Sequence, residues 1–211
     1  MAQFYKTKRI PYSKYQKLHE NGQLMKPYNP SDNTKGREFM NTVLFPRFAS
    51  FFKDGDKVYH IGKHGFWDYS LFFNNFEKRC EFIITDNVEE MDPDLVDDIT
   101  KSNIESNSAD GVTLVGMWEI LPQGQLALDE IFRILKPGGR LLFSADIQPN
   151  QEGYVGADKS LSFQGFLKRL NQFLIDEILF VYDPVNPGWT KMYSSGKLEA
   201  LFIIARKPEN D

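Results

Sequence analysis

Two glycines and a series of acids in this chain are spaced as a nucleotide-type ligand requires. The stretch "KVYHIGKHGFWDYS", residues 57–70, runs from a β-prone segment into a turn that carries His60, Gly62, His64 and Gly65. Glycine at such a turn lets backbone N–H groups approach a ligand closely, and the N-terminus of a following helix favours negative charge. Asp86 closes the apolar run "EFIITD", 24 positions beyond Gly62. A carboxylate at that spacing can accept hydrogen bonds from both hydroxyls of a ribose. "DDI" follows a third apolar run, where Asp98 can accept from an adenine amino group and Ile99 can pack on the base. The plain alternative for Asp97 and Asp98 is a solvated turn. "GMWEIL" follows a fourth run and places Trp118 and Glu119 where the reactive end of a cofactor would lie, with core packing the alternative for Trp118. "SADIQPN" ends a fifth and offers Asp146 and Gln148.

These residues need a scaffold that brings strand ends to one edge. The pattern supplies it. "KVYHI", "EFIITD", "DPDLVDDI", "ADGVTLVGM" and "RLLFSAD" predict five strands, and "LIDEILFVY" and "KLEALFIIAR" two more. "FWDYSLFFNNF", "GQLALDEIFRILK" and "SFQGFLKRLNQF" predict helices between them, the second with Leu126, Ile131, Ile134 and Leu135 near one stripe. Pro137 and the two glycines after it then end that helix. Strands alternating with helices imply an α/β, mainly parallel sheet covered on both faces. The last two strands have no helix between them and predict an antiparallel hairpin at one edge. Ahead of the sheet, Phe39, Met40, Val43 and Leu44 recur at helical spacing, and Pro46 suits the first turn of a further helix whose Phe48, Phe51 and Phe52 face inward.

Composition limits what such a domain can be. The 211 residues allow one domain with a small appendage, and 41% apolar residues suffice for a core. No apolar run approaches the roughly 18 residues of a spanning helix, and "MAQFYKTKRIPY" lacks the apolar core of a signal peptide. The single cysteine, Cys80, excludes an internal disulfide and a cysteine-rich metal site. A cytoplasmic protein is the simplest expectation. The net charge of −4 is uneven: residues 1–47 hold nine Lys/Arg against three Asp/Glu, and the remainder is acidic. The basic segment suits an acidic partner or its own acidic body, and the overall acidity argues against general nucleic-acid binding.

The order "FIITD … DDI … SADGVTLVGMWEIL … ALDEIFRILKPGGRLLFS" resembles the class I S-adenosylmethionine-dependent methyltransferases, nearest to their small-molecule and sugar-modifying branch. The likeness covers roughly residues 54–146. It implies a Rossmann-like seven-stranded sheet with an antiparallel C-terminal hairpin, helices on both faces and S-adenosyl-L-methionine as cofactor. By that resemblance, Gly62 falls on the first loop glycine, Asp86 on the ribose acid, Asp98 on the adenine-contacting acid with Ile99 beside it, and Met117, Trp118 and Glu119 on the segment bordering the methionine part. His60 stands where the family carries an acid, and Gly65 aligns with a loop glycine after a one-residue gap. The connection "NVEEMDP" is too short for the usual helix between the second and third strands.

Methyl transfer asks for a nucleophile in line with the S–CH₃ bond, and a hydroxyl nucleophile is helped by a base. The candidates for that base are Glu119, Asp146, His60 and His64. His64 titrates near neutrality in its unperturbed state, with helix capping its alternative role. Residues 1–33, with four tyrosines, are expected to form a lid or substrate-binding segment ahead of a catalytic domain at 34–211. The expected reaction moves a methyl group to an oxygen or nitrogen of a small molecule or saccharide. The rival expectations are a methyltransferase-like binding or assembly subunit without catalysis and, more remotely, a dinucleotide oxidoreductase. A homo-oligomer is left open.

Overall fold

The computed structural model describes residues 43–63, 80–118, 121, 123–145, 167–181 and 200–209. The expected lid at 1–33, the helix in "FWDYSLFFNNF" and the loops "QPNQEGYVGADKS" and "YDPVNPGWTKMYSSG" lie outside those residues.

Seven strands form one sheet: β1 (Asp56–Ile61), β2 (Cys80–Asp86), β3 (Leu95–Val96), β4 (Ala109–Leu114), β5 (Leu135–Ala145), β6 (Leu174–Val181) and β7 (Ala200–Arg206). Their order is β3-β2-β1-β4-β5-β7-β6. β1 runs parallel to β2 and β4, β2 to β3, and β4 to β5. β7 is antiparallel to both β5 and β6, so the last hairpin folds inward and leaves β6 as the edge. The mainly parallel Rossmann-like sheet expected from the strand–helix rhythm is present.

Alternation along the strands sorts side chains onto two faces. Val58, Phe82, Ile84, Leu142, Phe202 and Ile204 share one apolar cluster with Leu44, Phe45, Phe48 and Phe52 from α1 (Phe45–Ala49) and its flanks. Pro46 lies in the first turn of α1, where its missing N–H breaks no helical bond. The opposite face gathers Tyr59, Ile61, Val112, Leu114, Leu141, Phe143 and Ile203 under α2 (Gly124–Ile134). The buried stripe of α2 is Ala127, Leu128, Ile131 and Ile134. Leu126 is 45% exposed, so the predicted stripe was misplaced at its start. The physical reason is phase: 127, 128, 131 and 134 lie on one helical face, and 126 lies outside it.

β5 begins earlier than its apolar run predicts. Leu135 already pairs with Ala109, and a register shift on β4 between Ala109 and Gly111 absorbs the "KPGG" residues. Gly138 takes φ +77° there, and a Cβ on Gly139 would lie 2.8 Å from the Lys136 carbonyl oxygen. Two glycines therefore let the chain turn and remain in the sheet.

β1, β2, β3 and β4 all end at one edge. Strand order reverses between β1 and β4, and open α/β sheets form their ligand crevice at such a reversal.

Candidate active site

β1 delivers the glycine turn. Its ladder with β2 continues one step past the strand, as Gly62 N–H donates to the Thr85 carbonyl at 2.8 Å. The next donor, Lys63 N–H, goes to the Asp86 side chain, Oδ2, at 2.7 Å. The glycine turn is thus fastened to the acid that ends the neighbouring strand. Gly62 has φ +86°, a conformation that L side chains rarely adopt. A Cβ there would also overlap the Met117 thioether, which packs against the glycine from beyond the end of β4. Gly62 is required twice, for its φ and for this close approach.

Asp86 is half-buried. Its Oδ1 accepts Val88 N–H at 2.9 Å and its Oδ2 accepts Lys63 N–H. A carboxylate has about four acceptor positions, so it keeps capacity for a ligand hydroxyl beside these N–H groups. Burial pushes the Asp86 carboxyl above its ordinary value, while the N–H groups of Val88 and Lys63 and the charge of Lys63 pull it back. Lys63 is itself buried, and its ammonium donates to the Asp92 carbonyl. The sequence pointed to the glycines around Lys63 and gave this cation no role. Its position is legible only once β1 and β2 are paired.

β3 brings Asp98 to the same edge. Asp97 N–H donates to the Asp86 carbonyl at 2.9 Å, which sets the two strand ends side by side. Asp98 Oδ1 accepts Thr100 N–H at 3.0 Å and Thr100 Oγ1–H at 2.7 Å, forming a compact turn. Burial raises the Asp98 carboxyl, but the Thr100 hydrogen bonds and the Lys101 charge outweigh it and hold the group below its usual value. Ile99 is 4% exposed and belongs to the core cluster under α2. Asp97 is buried as well, which the plain reading of a solvated turn did not anticipate.

Trp118 is buried edge-on against Phe143, with ring centroids 5.4 Å apart, and a Cβ on Gly124 would clash with its ring. It anchors the chain that follows Met117. Gly116 N–H donates to Ser144 Oγ at 2.8 Å, tying the end of β4 to β5.

His60 lies one residue inside β1 and is fully buried. Its Nδ1 is 2.6 Å from Thr113 Oγ1 on β4, and its ring stacks on Phe82 of β2 at 6.0 Å. His60 therefore braces the three strands from the α1 face, two residues below the glycine. Four predicted residues converge at the edge: Gly62, Asp86, Asp98 and Met117. His64, Gly65, Glu119 and Asp146 lie outside the described residues. Among the described residues no group of three His, Cys, Asp or Glu side chains can hold a metal ion. No described helix is long and apolar enough to cross a membrane.

Residues 80–143, from β2 into β5, match the model of a family described as a methyltransferase domain. No curated protein sequence matches the chain. Several solved structures share its fold. The N-methyltransferase NodS from Bradyrhizobium japonicum superposes with a TM-score of 0.60 at 15% identity, covering 84% of this chain and 99% of NodS. Phosphoethanolamine N-methyltransferase 2 of Haemonchus contortus, solved with phosphomonomethylethanolamine and S-adenosylhomocysteine, gives 0.61 at 15% identity over 81% of this chain and 52% of its own. The [4+2]-cyclase SpnF gives 0.53 at 15% identity over 78% of this chain and 81% of its own. The chain shares the Rossmann-like fold of these methyltransferases.

Proposed function

We propose that this chain is an S-adenosylmethionine-dependent methyltransferase acting on an oxygen or nitrogen of a small molecule or saccharide. The observation that carries the reading is the fastening of the Gly62 turn to Asp86 at the strand-order reversal. The residues fit the cofactor. Asp86 keeps acceptor capacity for the ribose beside the backbone N–H groups it holds. Gly62, without a side chain, opens the backbone to the methionine part, and Met117 supplies a soft apolar wall beside it. Asp98, at the adjoining strand end, is proposed to accept from the adenine amino group.

When bound, the cofactor supplies a methyl group already activated by a positive sulfur, so the protein's task is alignment. Asp86 fixes the ribose and thereby the direction of the transferable group. Lys63, by its N–H and its charge, offsets part of the burial that raises the Asp86 carboxyl. His60, with Thr113 and Phe82, holds β1 rigid beneath the glycine. Glu119, His64 and Asp146 are the residues proposed to take the acceptor's proton. The tyrosines of the N-terminal segment, and Trp189 and Tyr193 of the loop "YDPVNPGWTKMYSSG" between the last two strands, are proposed to meet the acceptor.

A second reading is a methyltransferase-like subunit without transfer activity. It is favoured by His60, whose ring is spent between strands at the position where the resemblance expects an acid. SpnF adds that the fold also serves a protein named for cyclisation. Thermal unfolding of the full chain with S-adenosylmethionine, S-adenosylhomocysteine or NAD in excess tests the proposal, since a ligand of the native state raises the melting temperature. Either sulfur compound should raise it and NAD should not. No shift with either sulfur compound, joined by no heat in calorimetry, rejects the cofactor and the enzyme reading together.

A further inference from the structure

The connection from β2 to β3, residues 87–94, holds a single 3₁₀ turn, Glu89–Met91. It must nevertheless keep Asp86 in one place, because Asp86 ends the strand that feeds it. Met91 is 2% exposed and seats the turn on the protein. Asp92 then takes φ 57° and ψ 50°, a left-handed conformation that a residue with a side chain adopts at a cost. Its N–H donates to the Glu89 carbonyl at 2.8 Å. Asp94 exchanges two bonds with Ile84: its N–H donates to the Ile84 carbonyl at 2.9 Å, and its Oδ2 accepts the Ile84 N–H at 2.9 Å.

One residue touches both arms of this turn. The Lys63 N–H donates to Asp86 Oδ2 at 2.7 Å where the turn begins, and the Lys63 ammonium donates to the Asp92 carbonyl where the chain reverses. Among the described residues Lys63 is the only buried lysine or arginine, at 7% exposed. Burying a cation is costly unless charge and hydrogen bonds meet it. The carboxylates around it meet that need. Burial raises the Asp86 and Asp94 carboxyls, and the Lys63 charge opposes the rise in both, while Asp92 adds to it at Asp94. The further acids of this edge lie beyond β3: Asp97, whose N–H is bonded to the Asp86 carbonyl, and Asp98, which has Lys101 as its own cation.

We propose, resting on the S-adenosylmethionine reading, that Lys63 is the positioning residue for the cofactor's ribose: its main chain and side chain together hold the β2–β3 turn so that Asp86 meets the ribose hydroxyls without rearrangement. The lysine does for this short connection what a packed helix does for a longer one. A cation there also favours the ionised form of Asp86, and a carboxylate accepts hydrogen bonds more strongly than the neutral acid.

Isothermal titration of S-adenosylhomocysteine between pH 6 and 8 into the full chain, Lys63→Met and Lys63→Arg tests it. Lys63→Met keeps an unbranched stem and the backbone N–H and removes the charge. It should weaken binding about tenfold or more at pH 8, and further as pH falls, since the Asp86 carboxyl then takes up its proton at higher pH than in the wild type. Lys63→Arg should recover most of the affinity and the wild-type pH profile. A role in stability alone would lower the melting temperature of Lys63→Met and leave the affinity and pH profile of the folded variant unchanged, which would overturn the proposal. Lys63→Arg no better than Lys63→Met would assign the loss to packing and overturn it as well. Amide hydrogen exchange of the ligand-free wild type needs no variant: the Asp92 and Asp94 N–H groups should be protected, and exchange at the rate of an open chain would mean that the turn is not held. No binding by the wild type rejects the cofactor reading and this proposal together; binding by the wild type with equal affinity in Lys63→Met rejects this proposal alone.

Discussion

The two flanks of the sheet are held together by different physics. On the β4–β5–β7 side, Val112, Leu114, Leu141, Leu142, Phe143, Ile203 and Ile204 are fully buried, packed on both faces. On the β1–β2–β3 side the connection between β2 and β3 is short. A 3₁₀ turn, Glu89–Met91, is the only helical segment between β2 and β3, and β3 has two residues, with Leu95 and Val96 exposed at 38% and 50%. β1 and β2 are still packed through Val58, Phe82 and Ile84, but carboxylates fix the turns at their ends. Asp94 accepts Ile84 N–H, Asp86 accepts Val88 and Lys63 N–H, Asp97 accepts Asn103 N–H and Asp98 accepts Thr100 N–H. The apolar flank gives stability through packing on both faces. The carboxylate flank gives turns at defined positions, with lone pairs left over for a ligand. That division suits the recognition proposed for the β1–β2–β3 edge, with β4 and β5 as its support.

The comparison is most easily broken on the packed side. Phe143→Ala removes a fully buried ring and its edge-on contact with Trp118, and should cost about 3–5 kcal/mol in urea unfolding. A cost near zero would mean that this flank is not the stabilising one. On the carboxylate side, Asp94→Ala leaves the Ile84 N–H without its side-chain acceptor and should cost about 1 kcal/mol, with Asp94→Asn milder. A loss as large as that of Phe143→Ala would erase the contrast between the flanks.

The smallest effect is a pH slope. Burial holds Asp86 above its ordinary value in the folded chain, so the native state keeps that proton to higher pH than the unfolded state does. Its contribution to stability is therefore full below the unfolded pKa of about 4 and is lost as pH rises through the raised folded value. Asp86→Asn cannot titrate. The stability of wild type relative to this variant should fall over that interval when unfolding is followed at several pH values, and a rise would contradict the sign.

Much of this was readable from residue order, for a physical reason. Parallel strands buried on both faces must be apolar runs, so "EFIITD" and "ADGVTL" mark β2 and β4 plainly, and strand ends then fall at Gly62, Asp86 and Asp98. The methyltransferase-like fold followed from that order, and the S-adenosylmethionine reading from the acids and glycine it places together. What sequence could not supply were relations across strands. Lys63 has no role in the sequence until β2 stands beside it, and His60 reads as a candidate base at the end of "KVYHI" until Thr113 and Phe82 enclose it. Asp97 and Asp98 are adjacent and chemically identical, yet one is buried and one half-exposed. Burial there is decided by the loop that Arg133 holds 36 positions further along, not by the local pattern. Leu126 fails for a simpler reason, since an apolar residue just outside the buried stripe of a helix is indistinguishable in type from one within it.

The central claim is that Asp86, fastened to the Gly62 turn, holds the ribose of a sulfur-containing nucleoside. Isothermal titration of S-adenosylhomocysteine into the wild-type chain and into Asp86→Ala tests it most directly, with the fold of the variant checked by circular dichroism. The account predicts one site on the wild type and an affinity about 100-fold or more weaker on the folded variant, from the loss of two hydrogen bonds to a charged acceptor. Equal affinity for the two proteins, or no binding by the wild type, would contradict it.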